Sequence, residues 1–286
     1  MATSPQEDQN EVQNIAADFH VPRIPYNEDT IVNIISDIYR VYLQLNYISD
    51  WEVAWAPEEG HAINQGLCEE LHINPVVISL MKRLPYLRFS GIAADIEFIY
   101  PYSRAFVYLE DYEIRGGRDP DRFSYEEPRP SCLLPQEIAL TCSIDEGIHV
   151  ILDTKDNTIR VWSFDESPPG DDIENYRNYY PHHAPTYLAS YLQQVRSLEI
   201  IPSVSRETRK LYNKHYPELY AKIKKVLQEQ YGWPYDFQEA AWKAASKVTW
   251  KRIDLGDPDY ETDNDDELEP EVLANGKDDY SFYLWH

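Results

Sequence analysis

From Thr30 onward, Ile31, Ile34, Ile35, Ile38, Tyr42 and Leu45 recur at helical spacing, one stripe of a helix that turns about every 3.6 residues. Asn27 and Asp29 stand ahead of the stripe as start signals. Trp51 and Trp55 follow, then two further helical patterns at 58–72 and 75–84; Pro85 closes the region because the residue before a proline is pushed out of helical geometry. From Ile96 the period changes. IEFIYPYSRAFVYLED is rich in aromatic and β-branched residues and predicts two strands, or one bent strand, with Pro101 at the interruption. The stretch 112–135, with Gly116, Gly117 and four prolines, predicts a long loop.

The strongest hairpin signal is GIHVILDTKDNTIRVWSFD, 147–165. Ile148, Val150 and Leu152 alternate on one strand, Ile159 and Val161 on the next, and 154–157 supplies the turn. The other face carries His149, Ile151, Arg160, Trp162 and Phe164, so it is half apolar and expected to be covered in part. After an acidic, proline-rich loop, APTYLASYLQQVRSL opens with Pro185 and places Leu188, Tyr191, Leu192, Val195 and Leu198 on one helical face. Beyond Ile201 the pattern predicts basic helices. One carries Leu211, Leu219, Ile223, Val226 and Leu227, the other Phe237, Ala240, Ala241, Ala244 and Val248, with Pro217 and 232–234 as separators.

These elements predict an α+β fold. Its mostly antiparallel central sheet is built from about 94–110 and 138–164, flanked by the helices at 30–46 and 185–199, with a C-terminal helical extension at 202–252. The main domain spans 25–201. Residues 1–24 and the acidic first part of 253–286 are expected to be disordered, since neither offers enough apolar surface to offset chain entropy. The closing cluster of Tyr280, Phe282, Tyr283, Leu284 and Trp285 is different: it is expected to fold back on the domain, with the acidic stretch lying across the basic helices, or else to dock on a partner.

Charge narrows the class of partner. The chain of 286 residues has a formal net charge of −24, unevenly spread. Residues 253–286 hold twelve acidic side chains and one lysine, whereas 202–252 hold eleven basic and five acidic. A chain this acidic repels phosphate backbones, which argues against nucleic acid and for a basic protein partner. No apolar run approaches the roughly 18–20 residues needed to cross a bilayer, and the opening residues are acidic and polar, so the expected location is cytoplasmic or nuclear.

Candidate chemistry is sparse. Cys68, Cys132 and Cys142 show no CxxC spacing and read as buried thiols rather than a disulfide or zinc framework. His182 and His183 lack ligand spacing, and Asp153, Asp156 and Asn157 lack the remainder of a calcium loop. Cys142 with His149 is the one conceivable nucleophile pair, and Glu97, Glu110 and Asp111 the carboxylates a glycosidase-like couple would draw on. Gly116-Gly117 matches no phosphate-binding motif. No catalytic, metal or cofactor residue is therefore assigned.

The order of elements, helices, strands, a hairpin ending in an aromatic-acidic pair, a loop and a closing amphipathic helix, resembles the SUKH superfamily of fungal cell-wall-synthesis regulators and bacterial toxin-immunity proteins. The resemblance extends over 25–200 and is carried by 133–198: IALTCSIDEGIHVILDT followed by TIRVWSFD, the Asp-Glu-Gly turn at 145–147, and APTYLASYLQQVRSL as the closing helix. It implies an α+β fold that binds proteins without catalysis. Tyrosines gather around the predicted strands and loops, and tyrosine suits interfaces because it buries large area while keeping a polar end. Tyr100, Tyr102, Tyr112, Trp162, Asp165, Tyr176, Tyr179 and Tyr180 are the candidate partner-binding residues, with Tyr108 and Tyr125 in the same cluster. The competing class is a hydrolase with no readable motif.

Overall fold

A computed structural model describes residues 24–122, 129, 132–143, 147–163, 175–205, 208–214 and 217–255. In chain order these form α1 (Glu28–Gln44), β1 (Val53–Ala54), α2 (Gln65–Glu70), α3 (Pro75–Arg83), β2 (Tyr86–Leu87), α4 (Ser90–Ala94), β3 (Ser103–Ala105) and α5 (Asp111–Gly116). The second half adds β4 (Glu137–Ala139), β5 (Thr141–Ser143), β6 (His149–Asp153), β7 (Thr158–Trp162), β8 (His182–His183) and α6 (Ala184–Arg196). It ends with β9 (Ile201–Ser205), β10 (Thr208–Tyr212), α7 (Pro217–Lys225) and α8 (Glu239–Leu255). The fold is α+β with antiparallel sheets.

The expected stripe of α1 is its buried face. Ile31, Ile35, Ile38 and Tyr42 are buried, and Asn27 caps the helix by accepting the Thr30 N–H at 2.9 Å. The helix lies against α6, whose Leu188, Tyr191, Leu192 and Val195 are buried as their spacing predicts; the Tyr42 and Tyr191 hydroxyls meet at 2.5 Å. Beneath α6 the central sheet has the order β4-β6-β7-β8. The hairpin pairs Val150 with Val161 and Leu152 with Ile159 on one face, and His149 with Trp162 and Ile151 with Arg160 on the other. All five residues of β6 are buried, so both faces of this strand are covered rather than one.

Gly147 sits where the chain enters β6. A Cβ there would lie 2.1 Å from the Tyr102 carbonyl oxygen, a separation no side chain tolerates, so the approach of 147 to the 100–103 turn requires glycine.

Several expectations are corrected. The 94–110 stretch supplies only three strand residues, and β3 pairs with β5 outside the four-stranded sheet. Its other aromatic residues, Phe98, Phe106 and Tyr108, fill the core without joining a ladder; β propensity reported burial, not strand. The predicted loop after Tyr112 contains helix α5, capped at its end by Gly117, whose missing Cβ makes room for the Tyr108 ring. The helix expected over 58–72 is confined to α2, and 202–212, expected to be helical, is the β9-β10 hairpin with Leu211 on a strand.

Helix α8 exists, but its face is rotated from the expected one. Ala240, Ala241, Ala244 and Val248 are exposed, while Trp242, Ser246 and Trp250 are buried. The Trp242 indole donates to the Leu45 carbonyl at 2.8 Å, tying α8 to the end of α1. Two indoles outweigh four small apolar side chains in the area they remove from water. The expectations for 1–23, for Tyr125, Phe164 and Asp165, and for 256–286 lie outside the described residues.

Candidate functional site

Of the candidate partner-binding residues, Trp162, Tyr176 and Tyr179 are interior. Trp162 is the His149 cross-strand neighbour and packs on Tyr176 at 5.8 Å between ring centroids; the Tyr176 hydroxyl donates to Glu137, and the Tyr179 hydroxyl donates to the Ser163 carbonyl at 2.6 Å. Tyr108 is also buried and donates to the Ala139 carbonyl at 2.6 Å. Each of the three tyrosine rings completes the core with its hydroxyl satisfied, which is the other use of tyrosine's amphipathic shape.

Tyr100, Tyr102, Tyr112 and Tyr180 remain at the surface, in two places. Tyr100 and Tyr102 belong to a turn in which Ile99 and Tyr102 both adopt positive φ, at 65° and 57°. A β-branched residue in that region is strained, and such strain persists only where surrounding contacts fix it. Glu97 does the fixing: its buried carboxylate accepts the Tyr102 N–H at 3.1 Å and the Leu211 N–H at 2.7 Å. Burial raises the Glu97 carboxyl above its usual range, and the two N–H bonds oppose that rise.

Between this turn, α6, the end of β10 and α7 lies a groove of about 460 Å³, with Tyr100, Tyr187, Tyr191 and Tyr220 in its walls. The Tyr100 and Tyr187 hydroxyls are hydrogen-bonded across it. From Tyr187 an aromatic row runs outward over His182, 5.3 Å away, to Tyr180, a further 5.0 Å. The row joins Tyr100 to Tyr180 through two residues, His182 and Tyr187, that sequence reading did not select; Tyr187 carried no separate signal, because it follows Pro185 in a helix whose apolar face lies elsewhere. A second depression, about 560 Å³, lies between the ends of α1 and α6 and the 228–237 segment, with Trp233 and Tyr235 on its edge.

Tyr112 belongs to a different surface. Trp51, Phe89 and Tyr112 are all exposed, at 58%, 47% and 53%, and short contacts connect them. Arg88 Nε donates to the Trp51 carbonyl, and Ser90, next to Phe89, is hydrogen-bonded through its hydroxyl to Tyr112 and through its N–H to Glu110 at 3.3 Å. The antiparallel pairing of Val53 with Leu87 holds the first two segments together. Beneath Tyr112, the buried Arg104 guanidinium forks onto Glu113 at 2.8 and 3.1 Å, and Glu113 also accepts the Val107 N–H at 3.0 Å. Around the rings stand Asp50, Glu110 and Asp111, and Asp111 leads through Asn64 at 2.8 Å towards Glu69 and Glu70 on α2. This is an acidic face studded with large rings. Trp51 was visible in the sequence only as an isolated tryptophan; Phe89 gave no signal, because its exposure depends on the turn into α4.

The residues considered for catalysis are otherwise engaged. Burial pushes the Cys142 thiol up to about 12 and the His149 imidazole down to about 4, so both are neutral, the opposite of an activated thiolate–imidazolium pair. Glu97 and Glu110 accept backbone N–H groups. Asp153 closes the hairpin turn by accepting the N–H groups of Lys155 and Asp156 at 2.8 and 3.0 Å. His183 lies 2.7 Å from Thr186 and 3.3 Å from Asn157, away from the ring contacts of His182. Among the described residues no group of three His, Cys, Asp or Glu side chains is placed to hold a metal ion, and no helix is long and apolar enough to cross a membrane.

No family model matches the chain, and neither the curated proteins nor the solved structures contain a match to it.

Proposed function

We propose that this chain is a non-enzymatic binding or regulatory module that offers an acidic, ring-studded face to a basic protein. The supporting observation is the joint exposure of Trp51, Phe89 and Tyr112 among Asp50, Glu110 and Asp111, on segments held by backbone pairing and by the buried Arg104–Glu113 pair. Exposed tryptophan and tyrosine supply the area an interface buries, and the carboxylates attract and orient lysine or arginine on the partner. Arginine gains twice, since its guanidinium both forks onto carboxylates and stacks on rings. Kinship with the SUKH superfamily belongs to this proposal and rests on residues 133–198 alone.

The test is affinity capture from the native cell, run side by side with the wild-type chain and a Trp51→Ala/Phe89→Ala/Tyr112→Ala variant of equal melting temperature. The expected result is a basic protein retained by the wild type and lost, by at least about tenfold, from the variant, in line with the removal of two or three interface anchors. Retention of the same partners by both chains would remove the acidic face from the function.

A further inference from the structure

The groove differs in chemistry from the acidic face: four tyrosines stand in its walls among aliphatic and polar side chains, and its charged members are one lysine and one glutamate, Lys214 and Glu199. Its volume of about 460 Å³ falls within the roughly 300–1,000 Å³ of sites that enclose a ligand or a few side chains. One rim is the strained turn with Ile99 and Tyr102 at positive φ, and strain of this kind gathers at clamps and binding sites.

The chain itself points to an occupant. In the last turns of α8, Trp250 stacks on Tyr212 at 5.7 Å, and the next two residues, Asn213 and Lys214, line the groove. The chain therefore leaves Leu255 in the neighbourhood of the groove, followed by 24 residues, 256–279, and then by YSFYLWH, 280–286. A coil of that length has an r.m.s. span of roughly 25–30 Å, ample to return to the groove and short enough to hold the segment near it at an effective concentration of about millimolar order. Charge favours the same return. The connection carries eleven acidic residues and one lysine. The helix that brings Tyr220 to the groove has Lys222, Lys224 and Lys225 in its last turn, and Lys214 stands on the groove wall. The depression beside Trp233 has no such group of lysines among its walls.

We propose that the groove between α6, α7 and the 99–102 turn is the docking site of the chain's own aromatic segment, 280–286, which enters it with Phe282, Tyr283 and Trp285 stacking on the groove tyrosines while the acidic connection lies along α7.

The experiment uses full-length chains and a fluorescein-labelled synthetic peptide of residues 278–286. The wild type is compared with a tail variant, Phe282→Ser/Leu284→Ser/Trp285→Ser, whose own segment can no longer compete. The tail variant is expected to bind the peptide at least tenfold more tightly than the wild type, because in the wild type the tethered copy occupies the site. Adding Ser190→Arg to the tail variant, at an exposed position on the groove wall, is expected to abolish uptake; Lys214→Glu, also exposed, is expected to weaken it several-fold and serves if the arginine variant melts early. Absence of peptide binding by the tail variant, equal binding by wild type and tail variant, or binding indifferent to both groove substitutions would each overturn the proposal. None of these readings depends on Trp51, Phe89 or Tyr112, so failure here and failure of the acidic face are separate results.

Discussion

His149 shows how one buried side chain sets a response to pH. It is the first residue of β6 in the hairpin, 1% exposed, with its ring 5.0 Å from that of Trp162 on β7. Burial lowers its pKa from 6.5 to about 4, against the pull of Asp119. The folded state therefore takes up the imidazole proton later than the unfolded chain as pH falls. The stability that follows is complete above about 6.5 and is lost as pH drops towards 4, by up to about 3 kcal/mol. Urea titrations at pH 7.5 and pH 4.5 should show a smaller loss in His149→Gln than in the wild type; an equal loss would place the acid sensitivity elsewhere. Gly147 offers a second test at this scale. Its missing Cβ accommodates the Tyr102 carbonyl oxygen, so Gly147→Ala is expected to cost about 1–3 kcal/mol by forcing β6 away from the 100–103 turn, read as a lower urea midpoint at unchanged slope.

Among the elements, α5 and α8 are those that packing, rather than pattern, decided. Helix α5 is only six residues long and cannot persist by propensity; Arg104 anchors it through Glu113 from the neighbouring strand. Removing one partner leaves the other buried and uncompensated, so Glu113→Gln is expected to destabilise by about 3–5 kcal/mol, and the double change Arg104→Met/Glu113→Leu by clearly less. Denaturant midpoints of the three chains check this, and a double variant as weak as the single one would contradict it. On α8 the two possible faces separate cleanly. Trp242→Ala should cost about 3–5 kcal/mol because the indole is buried and bonded to Leu45, whereas Val248→Lys, on the exposed face, should stay within about 0.5 kcal/mol of the wild type.

At the scale of the whole molecule, charge governs encounter. A net charge of −24 accelerates the approach of a basic partner at low salt, and screening beyond about 8 Å at physiological ionic strength removes much of that gain. Association rates with the captured partner should fall as salt rises, with dissociation nearly constant; a flat association rate would leave the acidic face without its steering role. What the sequence determined by itself was whatever a single period can encode. The stripe from Ile31 to Leu45 and the Leu188 face each bury one side, so there local spacing and tertiary burial give the same answer; the alternation across 148–161 encodes the strand pairing, while β6 is covered on both faces. Tertiary structure decided the rest. The rings of 94–110 read as strand because aromatic residues favour both ladders and cores, and only the packed fold shows which; 202–212 reads as basic helix until its backbone finds a partner in the β9-β10 ladder. The candidate surfaces follow the same division. Trp162, Tyr176 and Tyr179 stand beside loops in the sequence yet close the core, while Trp51, Phe89 and Tyr112 lie far apart along the chain and come onto linked segments only because β1 pairs with β2 and Ser90 reaches Tyr112. Such a surface leaves no period to read, since its residues are brought together by chain crossings and exposed by what their neighbours leave uncovered.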